Sequence, residues 1–185
     1  MPLSLSRGGE PVTDTAPPDV NALARGYGRA VYLAAYRVLG DAGQAEDVQQ
    51  DVFLRLLEKP PTDVASWPAY LAAMATRQAI DRLRSRHRWR RLRPLWKAAE
   101  PEAADTVEAD AEQAERARRL RDALARLKPQ HAECFVLRHL HGMDTAAIAR
   151  ATGLTANHVG VCLHRAAQAL ESMLNDHARS AQEVL

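Results

Sequence analysis

The chain contains only two cysteines, Cys134 and Cys162, too few for a disulfide framework and without a second ligand pair at zinc-motif spacing. His131 and Cys134 share a helix face, with His139 and His141 nearby, yet no paired-ligand motif completes the set, so no metal is assigned. Aromatic residues make up 5% of a composition that is 46% hydrophobic. Abundant Ala, Leu and Arg suit helices rather than sheets, and an all-α fold with essentially no β-structure is expected. No apolar run approaches the roughly 20 residues that cross a bilayer, and the N-terminus lacks the charged-then-apolar order of a signal peptide. These absences point to a soluble cytoplasmic chain without membrane insertion. A Gly-rich phosphate loop is missing too, and the carboxylates fall in ordinary helical patterns, so no catalytic residue or cofactor is assigned.

Charge is present but segregated. The formal balance of +2 hides eight arginines between Arg77 and Arg93 against the single Asp81, followed by seven acidic residues and no basic one from Ala98 to Glu115. The first stretch attracts phosphate and the second repels it.

Helical spacing organises the rest. Residues 1–18, rich in Pro, Gly, Ser and Thr, read as a disordered leader. Tyr27, Val31, Ala34, Ala35 and Val38 form a stripe that ends at Gly40-Asp41. In Gln44 to Glu58, Val48, Val52 and Leu56 recur every four residues and leave Asp47, Gln50 and Asp51 facing outward; Lys59-Pro60-Pro61 stops that helix. Ser66 can cap a third helix carrying Tyr70, Leu71, Met74, Ile80 and Leu83 into the arginines. The expected divisions are 19–94 as one helical domain, 95–116 as an acidic linker, 117–177 as a second domain and 178–185 as a tail. Each domain is near the size at which an isolated core is marginal.

The second domain opens with Leu120, Leu124 and Leu127, ended by Pro129, and continues with Phe135, Val136 and Leu140 before Gly142. Asp144 to Leu174 then has the form of a helix-turn-helix. Asp144 can cap a short helix carrying Ile148, Gly153 supplies the turn, and Thr155 can cap a long helix with an apolar stripe of Val159, Leu163, Ala167, Leu170 and Leu174. Ala156, Asn157 and His158 lie where such helices meet base edges in a major groove. A capped helix pair inside an all-α core has the same local pattern.

Taken together, AEDVQQDVFLRL at Ala45 to Leu56, AYLAAMATRQAIDRLRSR at Ala69 to Arg86 and the terminal helix-turn-helix resemble a bacterial RNA polymerase sigma factor of the extracytoplasmic-function group of the sigma-70 family. The resemblance covers about 150 residues in order and implies two helical domains, sigma-2 and sigma-4. It implies that Asp47, Gln50, Asp51 and Phe53 dock on the β′ clamp helices of core polymerase, with the β subunit meeting the C-terminal domain. It places the basic stretch on the minus-ten promoter element, with Arg82 and Arg86 as leading phosphate contacts and Arg77, Arg84 and Arg88 as secondary ones. Trp67 and Tyr70 would offer stacking surface near an extruded base. Recognition of the minus-thirty-five element falls to Arg150, Thr155, Ala156, Asn157, His158, His164 and Arg165.

Two departures stand out. The family commonly has Asn where this chain has Arg77, and basic residues where this chain has Gly160-Val161-Cys162; backbone anchoring would then rest on Arg138, Arg150 and Arg165. The resemblance also implies an anti-sigma partner, and a linker whose negative charge suits a channel built for RNA. Two other readings compete. A stand-alone helix-turn-helix regulator would use the N-terminal helices for dimerisation and need a symmetric operator. An enzyme acting on nucleic acid has no supporting motif.

Overall fold

The computed structural model describes residues 19–92 and 111–182. Among them are seven helices and no strand: α1 (Val20–Leu39), α2 (Ala42–Glu58), α3 (Trp67–Leu92), α4 (Ala111–Arg126), α5 (Pro129–His139), α6 (Thr145–Thr152) and α7 (Ala156–Gln182). The expected leader, linker residues 95–110 and residues 183–185 lie outside the described residues.

Local chemistry sets the boundaries. The Asp19 carboxylate accepts from the Asn21 and Ala22 amides at 3.0 and 3.1 Å and starts α1. Gly40 ends it with φ of 64°, a left-handed conformation that a side chain disfavours. Asp41 caps α2 at once, accepting from the Gln44 amide at 2.9 Å. Val48, Val52 and Leu56 are buried on α2 as their spacing requires, and Leu71, Ala75, Ala79, Ile80 and Leu83 carry α3 through the core.

α4 begins at Ala111, inside the stretch expected as linker. The acidic side chains there find arginines one turn later: Arg116 donates to Glu112 at 2.6 Å and Arg119 to Glu115 at 2.8 Å. Such i, i+4 pairs support an exposed helix with few large apolar groups. The seven-fold acidic run is thus partly balanced within α4.

The helix-turn-helix is built as its residues suggest. Asp144 accepts from the Ala147 amide at 2.7 Å, Gly153 turns with φ of 74°, and the Thr155 hydroxyl accepts from the His158 amide at 3.2 Å. The stripe on α7 differs from the expected one. Val159, Cys162, Ala166 and Leu170 are buried, whereas Leu163 is half-buried and Ala167 is exposed. Both sets mix steps of three and four and each fits one helix face; the buried face is turned by roughly 60° toward Cys162 from the expected one. The Leu174 side chain lies outside the described residues.

The two halves share their core. One buried cluster joins Val31, Val38, Val52 and Ile80 from α1–α3 to Leu124 of α4, Leu127 of the α4–α5 connection, Val136 of α5 and Leu170 of α7. A second cluster, joining Leu137 of α5 to Ile148, Val159 and Cys162 of the helix-turn-helix, also takes in Ala73 of α3. α3 is therefore the central element, packed against α1 and α2 on one side and α4, α5 and α6 on others.

Candidate polymerase and nucleic-acid surfaces

The core stripe of α2 turns its other side outward. Asp47 and Gln50 are exposed and Asp51 is half-buried. Phe53 is half-buried and packs against the main core. The exposed apolar groups on this side are Leu54 and Leu57, at 55% and 61% exposure, which the motif reading passed over. Their signal was available: both lie off the Val48, Val52, Leu56 stripe and follow Asp47 and Gln50 at steps of three and four. An acidic helix face with two bare leucines has the composition of a docking surface.

The arginines of α3 engage the protein itself. Arg82 donates to Asp47 at 3.1 Å and to Asp51 at 2.7 Å. Burial works against the charged guanidinium, but these two hydrogen bonds and the nearby negative charge outweigh it and raise the pKa of Arg82. Arg84 donates to the Leu127 carbonyl, and Arg86 reaches the Leu39 carbonyl at 3.4 Å, at the negative end of α1. Arg77 pairs with Glu133 of α5 at 3.5 Å. Arg88 is exposed. Trp67 and Tyr70 are half-buried and meet edge to face with ring centroids 6.0 Å apart.

On the helix-turn-helix, Thr155, Ala156, Asn157, His158, His164 and Arg165 are exposed together along the leading turns of α7, and Arg150 is exposed on α6. Gly160 has no atom within 4 Å of where a Cβ would sit. Arg138 instead braces the turn, donating to the Thr145 hydroxyl at 2.6 Å.

His139, His141 and the two cysteines make contacts within the protein. The His139 ring lies 4.4 Å from Phe135, and His141 sits 3.3 Å from the Thr76 hydroxyl. Burial, chiefly, and then the charge of Arg37 push the His141 pKa below its usual value. Cys134 and Cys162 are buried against each other, and the Cys134 thiol is pushed up to about 12 by burial first and by Cys162 next. Among the described residues no group of three or more His, Cys, Asp or Glu is placed to hold a metal, and no helix is long and apolar enough to cross a membrane. Glu133, 5% exposed, had no sequence signal at all.

Residues 23–90 match the family described as Sigma-70 region 2, and residues 117–170 match Sigma-70, region 4. The ECF RNA polymerase sigma factor SigL of Mycobacterium tuberculosis is 31% identical over 160 residues, covering 85% of this chain and 89% of that one. The chain belongs to the ECF RNA polymerase sigma factors. The sigma factor BldN of Streptomyces coelicolor is 31% identical over 160 residues, which cover 83% of this chain and 59% of BldN, so the chain spans little more than half of that relative. The sigma factor RpoE of Bartonella quintana, solved with the anti-sigma factor NepR, shares the fold at a TM-score of 0.51 and 17% identity, over 85% of this chain and 97% of that one. Family membership gives the three surfaces a common context: α2 and α3 fall in region 2, and the helix-turn-helix falls in region 4.

Proposed function

We propose that this chain is a sigma subunit: a non-enzymatic, cytoplasmic specificity factor that binds core RNA polymerase, recognises a two-part promoter and assists its melting. The observation that carries the reading is the second face of α2, where Asp47, Gln50, Leu54 and Leu57 stand exposed opposite a fully buried stripe. A stand-alone regulator that dimerised through this face would set its acidic groups against a second acidic copy, which like-charge repulsion disfavours. Its acidic and amide groups suit a basic, polar partner helix such as the β′ clamp helices, and its leucines supply apolar area.

In this reading Phe53 shapes the docking face from beneath. Arg82, Arg84, Arg86 and Arg88 bring positive charge to the minus-ten element, and Trp67 with Tyr70 offers ring faces to an unstacked base. Ala156, Asn157 and His158 read the minus-thirty-five element, while Arg150, Thr155, His164 and Arg165 hold the backbone and the β subunit meets this half. An anti-sigma protein, such as the one that accompanies the Bartonella relative, is the expected regulator. Co-purification with core polymerase, followed by transcription from a pool of random promoters, tests the whole. Binding to symmetric duplex sites without polymerase would overturn it in favour of a stand-alone regulator.

A further inference from the structure

The helix-turn-helix half covers the side of α3 that carries Thr76 and Arg77. Glu133 of α5 faces Arg77 at 3.5 Å, His141 faces Thr76 at 3.3 Å, and Arg37 of α1 donates to the Leu140 carbonyl at 3.1 Å. Ala73 inserts into the helix-turn-helix core. Beside these contacts the seam opens to solvent. A cleft of about 420 Å³, open to solvent, lies between α3 and α6, with Tyr70 and Arg77 on one wall and Glu133 and Arg150 on the other. The seam thus has two parts: the apolar core that the halves share, and an ionic rim around this cleft that resembles a transient interface.

The two members of the ion pair are unequal. The Arg77 side chain is 58% exposed, whereas that of Glu133 is 6% exposed. Arg77 is well hydrated whether the halves are together or apart. Glu133 is not: closure strips water from its carboxylate, and burial raises its pKa, against the opposing charge of Arg77 and with that of Asp81. A buried ion pair stabilises little by itself, but removing one partner leaves a charge without compensation and destabilises the arrangement strongly. Closure is therefore conditional on Arg77. A phosphate that draws Arg77 away also leaves Glu133 stranded.

We propose that Glu133 and Arg77 form a release latch, in which nucleic-acid phosphate competing for Arg77 leaves the buried Glu133 carboxylate uncompensated and drives the helix-turn-helix half off α3. The inference rests on the reading of α3 as a nucleic-acid surface. It assigns Arg77 a positioning role between the two halves.

The test uses the full chain carrying a fluorophore pair at Glu58→Cys and Glu171→Cys, two exposed positions on α2 and α7. Energy transfer reads opening, and circular dichroism checks that helix content is kept. Arg77→Asn should raise the open population about tenfold without any nucleic acid, below the limit for a fully buried pair because Arg77 is half-exposed. Glu133→Leu should stay closed, and Arg77→Asn combined with Glu133→Leu should close again. Adding a single-stranded DNA oligonucleotide should open the parent chain, while Glu133→Leu should need about tenfold more. Equal oligonucleotide response in the parent chain and Glu133→Leu overturns the latch, as does an Arg77→Asn chain that stays closed. If Arg77→Asn fails to fold, the Glu133→Leu comparison decides alone. Loss of polymerase binding in co-purification sinks the sigma reading separately, because the oligonucleotide arm contains no polymerase.

Discussion

Arg82 on α3 and Asp51 on α2 meet at 2.7 Å, and Asp47 holds the same guanidinium from the preceding turn at 3.1 Å. The side chains are 31% exposed for Arg82, 62% for Asp47 and 46% for Asp51, so water screens the contacts and each contributes at most about 1 kcal/mol to stability. The pairing joins a proposed polymerase contact to a proposed DNA contact. It is weak enough to be exchanged.

Asp47→Lys should therefore leave the fold intact, with a stability change within about 1 kcal/mol, because Asp51 still holds Arg82. Core-polymerase affinity should fall by about 2 kcal/mol or more if the partner surface is basic. Leu57→Ser should also weaken binding, by about 1 kcal/mol, with an unchanged melting temperature, since an exposed leucine contributes little to folding. Unaltered polymerase affinity in both folded variants would remove α2 from the docking assignment.

The arginines of α3 give a second expectation. Arg82→Ala with Arg86→Ala should reduce promoter opening and make the salt dependence shallower if both neutralise phosphates in the open complex. Permanganate footprinting reads the bubble. A thermal melt is needed beside it, because Arg86 also binds the Leu39 carbonyl and its loss removes a cation from the end of α1. Equal bubbles across a salt series at equal loading would reduce these arginines to ties between helices.

Helix content, caps and the helix-turn-helix were legible because each follows from neighbours in sequence: Asp41 before Gln44, Asp144 before Ala147, Gly153 before Thr155. The motif reading also gave the order of the two regions. What it did not give were contacts between distant residues. Arg77 with Glu133, and Arg84 with the Leu127 carbonyl, join positions more than 40 residues apart, and nothing in either local pattern names the other. The arginine run looked like a single phosphate-binding face for the same reason. Each successive side chain on a helix is turned by about 100°, so α3 distributes its charge to α1, α2, α4 and α5.

Cys134 and Cys162 should be inert in the folded chain. Both are buried, and burial pushes the Cys134 thiol up to about 12, so it carries far less thiolate near neutral pH; only the thiolate is nucleophilic. Iodoacetamide should modify neither cysteine before unfolding and both in denaturant. Rapid modification of the native chain, read by mass spectrometry, would contradict the burial of this pair.

The seam between the halves should weaken on acidification through His141. Its folded pKa lies below the usual 6.5, so the unfolded or opened state binds the proton more readily, and stability is lost as pH falls through 6.5 toward the folded value. Glu133 has the opposite sign, since a raised carboxylate pKa favours the closed form as protons bind. Denaturant titrations between neutral and mildly acidic pH in a Glu133→Gln, His131→Gln background isolate His141, because burial lowers the His131 pKa as well. His141→Gln should flatten the remaining slope; an equal slope in both would assign the acid sensitivity elsewhere.

The leading turn of α7 carries the last prediction. Asn157 and His158 are exposed just after the Thr155 cap, followed by the uncharged Gly160-Val161-Cys162. If Asn157 reads a base edge, Asn157→Ala should relax preference at one upstream position, at a cost of about 1 to 3 kcal/mol for a bidentate contact. Gly160→Lys acts on a different component of binding. The space at Gly160 is open and its backbone is helical, so the substitution should gain about 1 kcal/mol of helix propensity and meet no clash within the chain. A new phosphate contact should raise affinity for all upstream sequences alike and steepen the salt dependence by about one charge. Polymerase-dependent binding to a library randomised only in the upstream element separates the two effects. An unchanged sequence preference in Asn157→Ala would mean that Asn157 reads no base. Loss of binding in Gly160→Lys would mean instead that DNA approaches the α7 backbone too closely for any side chain there.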